Sequence, residues 1–112
     1  MSDCLFCSIV SGEIPSETVV TTDTVVAFRD VNPQAPLHVL VVPRAHAADA
    51  GDLADRDPGA VAELVQVARR VAAEAGHESY RLVFNTGADA GQTVFHAHLH
   101  VLAGRGLAWP PG

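Results

Sequence analysis

The sequence predicts an α+β domain with a five-stranded, mostly antiparallel sheet, one long helix and one short one. Three observations lead there. Five apolar segments, several rich in β-branched residues, are separated by turn-like connectors. One stretch repeats its apolar residues with a helical period. The chain has 112 residues, 48% of them hydrophobic and 18% charged, enough for one core. No repeat, low-complexity tract or long linker divides it, so residues 1–112 are read as one domain.

Residues 4–11, Cys-Leu-Phe-Cys-Ser-Ile-Val-Ser, read as the short helix, with Leu5, Ile9 and Phe6 inward and Gly12 ending it. Residues 17–22 and 24–30 read as a hairpin turning at Asp23, because Val and Thr are dense on both sides. Two prolines make Asn32-Pro33-Gln34-Ala35-Pro36 a connector. Leu37 to Val42 is an apolar run stopped by Pro43, a central strand. Residues 47–57 read as an acidic loop or short helical turn.

Asp57-Pro58 then supplies an N-cap followed by a first-turn proline. Val61, Leu64, Val65, Ala68, Val71, Ala72 and Ala75 fit one helical face, and Gly76 closes the long helix. Tyr80 to Asn85 is the fourth strand, residues 86–93 a glycine-containing loop, and Phe95 to Leu102 the fifth strand. A tail from Gly104 to Gly112 ends Trp109-Pro110-Pro111-Gly112.

The balance of 7 Arg, no Lys and 13 acidic residues gives a formal net charge of −6. Such a chain is a poor ligand for nucleic acid, which needs a basic surface. A small phosphate compound remains open to it, since backbone N–H groups, neutral imidazoles and one Arg suffice. No apolar run approaches the ~18–20 residues of a membrane span. Met1-Ser2-Asp3 starts no basic-then-apolar leader, so a cytoplasmic protein is expected. Cys4 and Cys7 form a Cys-x-x-Cys pair with three readings: metal ligands, a redox pair or two buried thiols.

The densest signal is His96-Ala97-His98-Leu99-His100-Val101. On a strand its three imidazoles would share one face, with Ala97, Leu99 and Val101 on the core face. A solvated sheet face has no need of histidine; metal binding, proton transfer or nucleophilic attack has. Three ligands to one metal would require the strand to bend. The alternative is His98 as nucleophile on phosphorus with His100 orienting it. Just upstream, Asn85, Gly87, Gly91, Gln92 and Thr93 supply neutral donors and close backbone approach for an anion.

This motif, His-x-His-x-His with apolar x, resembles that of the histidine triad nucleotide hydrolases and transferases. Ile14-Pro15, Asn32-Pro33-Gln34-Ala35-Pro36-Leu37-His38, Pro43-Arg44-Ala45-His46, Gly91-Gln92-Thr93-Val94 and the Trp-Pro-Pro-Gly ending are similar to the HINT branch, the purine nucleoside phosphoramidases. The resemblance implies His98 as nucleophile on the α-phosphorus and a nucleotidyl-histidine intermediate. It implies Thr93 beside the leaving group and Asn85, Gln92, His100 and the Val94 N–H on the phosphate. Asp30 would hold the ribose hydroxyls, and Leu5, Phe6, Ile9, Phe28 and Val31 the base.

From relatives that carry Cys-x-x-Cys, the resemblance also implies one structural zinc per protomer on Cys4, Cys7, His46 and His96. It implies a homodimer whose two sheets join into ten strands across a two-fold axis. Trp109 would cross that dimer toward the partner's pocket on the leaving-group side. A dinucleoside polyphosphate hydrolase of the same family, or a nucleotide-sensing scaffold with incidental hydrolysis, are the alternatives. Of the remaining histidines, His38 is expected to be a hydrogen-bonded structural residue and His77 to face solvent.

Overall fold

The structure, a computed structural model, describes residues 4–112; the reading of residues 1–3 as leaderless lies outside them. Five strands form one sheet: β1 (Thr18–Thr21), β2 (Val25–Arg29), β3 (Leu37–Pro43), β4 (Arg81–Val83) and β5 (Leu99–Ala103). Their order is β1-β2-β3-β5-β4, and every neighbouring pair is antiparallel. Three α-helices accompany them among the described residues: α1 (Leu5–Ser11), α2 (Ala50–Arg56) and α3 (Pro58–Glu74). Among these residues no helix is long and apolar enough to cross a membrane.

The continuous apolar runs of β2 and β3 are explained by cover on both faces. Val25, Ala27, Leu37, Val39, Val41, Leu99 and Val101 pack with Leu53 of α2 and Leu64, Val67, Ala68, Val71 and Ala72 of α3. Val26, Phe28, Leu40 and Val42 pack on the other face with Phe6 of α1. The helical face of α3 is rotated slightly from the expected one: Val67 is buried and Val65 is 41% exposed. In α1 likewise Phe6 is the buried residue and Leu5 is 46% exposed.

Two expectations are corrected. Residues 50–56 are a true helix, not a loop or single turn, so the helices number three rather than two. Asp49 caps α2 by accepting from the Asp52 N–H (2.9 Å), and Asp52 accepts from the Ala48 N–H (2.9 Å). That reciprocal capping, with Leu53 as a buried anchor, stabilises so short a helix.

The second correction concerns the histidine motif, whose strand begins at Leu99 and not at Phe95. The β3–β5 register pairs Val41 with Leu99, so continuing it would set Ala97 against Pro43. Proline has no N–H for the ladder. The Ala97 N–H turns instead to the Ala47 carbonyl at 2.7 Å. Ala97, Leu99 and Val101 all join the helix-side core as expected, although His96 and His98 between them are buried as well.

Candidate functional site

The departure from the ladder carries His96 away from the other two histidines of the motif. Its Nε2–H donates to the Pro43 carbonyl at 2.8 Å, because a carbonyl can only accept. The lone pair of Nδ1 is then directed at the cysteines, 3.4 Å from Cys4 Sγ and 3.4 Å from Cys7 Sγ. His46, on the connector after β3, brings its Nδ1 within 3.4 Å of Cys7 Sγ and 3.2 Å of His96 Nδ1. The four ligand atoms lie within 4.8 Å of one another. Two thiols and two imidazoles at these separations match the edges of a tetrahedron around one divalent ion. The Pro43 carbonyl supplies the outer hydrogen bond that orients a ligating histidine. The donor set therefore fits a closed metal centre, and it is the one the resemblance implies.

His98 uses its nitrogens the other way round. Its Nδ1–H donates to the His96 carbonyl at 2.8 Å, which leaves the Nε2 lone pair for chemistry. Its ring lies 5.0 Å from that of His100 and 5.0 Å, edge-on, from that of Phe6. His100 is held in turn by His38. The Gln34 N–H donates to His38 Nδ1 (3.0 Å), so the neutral His38 carries its proton on Nε2. That N–H donates to His100 Nδ1 at 2.8 Å and leaves the remaining His100 proton on Nε2. A carboxylate oxygen of Asp30 stands 3.5 Å from His38 Nε2.

Burial governs the charge of this chain of imidazoles. It pushes His100 down to about 4, helped by the neighbouring His98 and His38 and opposed weakly by Asp30. Burial also lowers His38, against the pull of Asp30. Both rings are therefore neutral at pH 7 and have one donor each to give. His98 and His100 line a cavity of about 370 Å³ with Leu5, Phe6, Ile9, Phe28, Asp30, Val31, Thr93 and Val94. Its lining combines apolar side chains with imidazoles, a hydroxyl and a carboxylate. Such a volume falls in the range of small-molecule sites.

The comparisons with known proteins agree with this arrangement. Residues 11–107 match the HIT domain family. The chain belongs to the histidine triad, or HIT, family. A HIT-like protein of Synechocystis is 45% identical over 98% of this chain and 97% of its own length. A 14 kDa zinc-binding protein of Zea mays is 41% identical over 99% and 89%. Among solved structures, a HIT family hydrolase from Legionella pneumophila superposes with a TM-score of 0.93 at 45% identity, covering 98% of this chain and 100% of that one.

Not every expected HIT site residue faces the cavity. Gln92 is buried with its amide fully engaged: Oε1 accepts from the Gly87 N–H, and Nε2 donates to the Ala48 and Val94 carbonyls. It shapes the loop in which Gly87 and Gly91 take positive φ values of 88° and 95°. Asn85 lies beside the same loop, its Nδ2 3.8 Å from where a Cβ on Gly91 would stand. Val31 is fully exposed on the rim. Trp109 is 83% exposed and lies off the cavity, in a tail whose Leu107 and Ala108 carbonyls accept from Arg81.

Asp30 both caps a turn, one oxygen accepting from the Asn32 N–H (2.8 Å), and lines the cavity. His77 is partly exposed, and its ring approaches Gly104. His38 is the one whose reach was missed. It is hydrogen-bonded as expected, but to His100, because Leu40 pairs with His100 and His38 lies two residues along the same face of β3. The available signal was parity: His38, Leu40 and Val42 alternate with the core-facing Leu37, Val39 and Val41.

Proposed function

We propose that this HIT protein is a HINT-branch, purine nucleoside phosphoramidase-like hydrolase, acting as a cytoplasmic homodimer. The observation that carries the reading is His98: an imidazole locked by a backbone carbonyl, with its free nitrogen on a ring that lines a cavity sized for a nucleotide. The apolar slot of Phe6, Ile9 and Phe28 would take the purine, and Asp30 the ribose hydroxyls.

His98 Nε2 attacks the α-phosphorus. The bond from phosphorus to the leaving amine breaks, and the amine takes up a proton from solvent by way of the Thr93 hydroxyl. A nucleotidyl-histidine remains. Water then attacks the same phosphorus and releases a proton to solvent, the bond to Nε2 breaks, and the nucleoside monophosphate leaves with His98 neutral again. His100, kept uncharged by burial, gives one N–H to the phosphate, and its partnership with His38 selects which nitrogen carries it. The Val94 N–H and the loop around Gly87 and Gly91 add backbone donors.

Zinc is the metal assigned to Cys4, Cys7, His46 and His96, one per protomer. Four protein ligands fill its shell, so it contributes folding free energy and leaves the reaction to His98. A Cys-x-x-Cys pair used for metal suits a reducing compartment, the cytoplasm. The homodimer rests on β4, a three-residue edge strand that is only half-buried and offers its open side to a second copy. Trp109 would then reach the partner's cavity on the leaving-group side.

The test is turnover of a panel of AMP and GMP amidates, esters and dinucleoside polyphosphates by the holoprotein, with capture of labelled nucleotide on His98. Amidates are expected to be cleaved fastest. Faster cleavage of dinucleoside polyphosphates would move the chain to that branch. Binding without turnover would make it a nucleotide-sensing module.

A further inference from the structure

α1 has seven residues and buries only Phe6 and Ser8. A helix this short is not stable by itself, since its nucleation cost is never recovered. Ile9 and Val10 pack against the apolar cluster on this face of the sheet, and two further attachments stand out. One is Phe6, 5% exposed, whose ring stands edge-on to Phe28 (5.5 Å) and to His98 (5.0 Å). The other is the pair of cysteines on either side of Phe6. Cys4 is the N-cap, its Sγ accepting from the Cys7 N–H (3.3 Å), and both Sγ atoms meet His96 Nδ1. His46 and His96 belong to two other segments, the connector after β3 and the loop before β5. A metal on the four ligands would therefore pin α1 to both.

The same helix is a wall of the nucleotide cavity, to which it contributes Leu5, Phe6 and Ile9. An open depression of about 770 Å³ lies over Cys4, Cys7 and His46, and it shares Leu5, Thr93 and Val94 with that cavity. Metal centre and cavity thus meet along one short element.

We propose that the Cys₂His₂ centre sets nucleotide affinity through α1, with Phe6 as the positioning residue between them. Bound metal holds α1 down, so that Phe6 closes the base slot and supports the edge of the His98 ring. A nucleotide in the slot presses on the same helix and holds the cysteines in place for the metal. Each occupant raises the affinity for the other by one common factor, as linkage requires. The inference rests on the nucleotide reading above.

Equilibrium competition measures it directly. The zinc-loaded protein is titrated with a chromophoric chelator in the absence of nucleotide and at saturating AMP, and AMP binding is measured by calorimetry. AMP is expected to raise metal affinity about fivefold or more, the lower end of ordinary coupling. His46→Gln removes a ligand that lines no part of the cavity, and it should weaken AMP binding by a similar factor. Phe6→Leu should retain the metal but reduce the effect of AMP on metal affinity to less than about twofold. Unchanged metal affinity in wild type when AMP is bound overturns the coupling, and this arm needs no variant to fold. A His46→Gln protein with wild-type AMP affinity overturns it as well. Holoprotein that does not bind AMP at all overturns this proposal together with the nucleotide reading.

Discussion

His96 and His98 stand two residues apart in one motif, yet they use opposite nitrogens. His96 gives its Nε2–H to the Pro43 carbonyl and turns Nδ1 to the cysteines. His98 gives its Nδ1–H to the His96 carbonyl and keeps Nε2 for the cavity. The backbone carbonyl each ring meets decides which nitrogen is left over. The first is left with a nitrogen suited to ligation and the second with one suited to nucleophilic attack. The lesson is that a histidine's chemistry is set by the acceptor that holds its other nitrogen.

The comparison breaks most sharply at His98. His98→Ala should lower turnover by about 10³-fold or more, as loss of an attacking group does. Metal content and melting temperature should stay near wild type, because the ring is not among the ligands. Steady-state rates, elemental analysis and calorimetry check the three parts. A fall in metal content equal to the fall in rate would mean that the two histidines are not separable.

The reverse experiment is Cys4→Ser, which removes one member of the metal set and leaves His98 in place. A metal on the four ligands would contribute folding free energy and Cys4 also caps α1, so the melting temperature should drop by roughly 10 °C or more in a domain of this size. The rate per folded molecule at saturating substrate should change far less, within about threefold, because the closed shell leaves the reaction to His98. Thermal melts beside rates normalised to folded fraction measure the split.

The smallest effect is one of acidity. Burial holds His100 and His38 below the ordinary value of 6.5, His100 down to about 4. As pH falls through 6.5, the unfolded chain takes up these protons before the folded one. Stability is therefore fully present above about pH 6.5 and declines between there and about pH 4. Asp52, held below its usual 3.8 by the Ala48 N–H and Arg56, adds its own loss only below that value. His100→Asn should flatten the decline between pH 6.5 and 4. Melts read alongside metal content keep this slope apart from acid release of the metal. An unchanged slope would show that His100 titrates as it does in the unfolded chain.

The fold was legible because its signals are local. Asp57-Pro58 starts α3 and Gly76 follows its end, while β-branched density marks β1 and β2. α2 was misjudged because its polar surface hid the one indication it carries, Asp49 and Asp52 at capping distance. The face of α3 was misjudged by one position, Val67 for Val65, since apolar residues at both allow either rotation until the sheet chooses.

The site divides in the same way. The residue types and their alternation, together with the family resemblance, were enough to nominate His98, His100 and the Cys4, Cys7, His46, His96 set. Sequence alone determined that imidazoles alternate with core residues and that thiols lie at metal-ligand spacing, because both follow from chain geometry over a few residues. Only the tertiary structure decided which nitrogen each histidine keeps. It also decided that His38 completes the chain to His100 and that Gln92 is spent on its own loop. Those outcomes depend on strand register, on Pro43 ending the ladder, and on carbonyls brought in from up to 53 residues away, none of which any local stretch encodes.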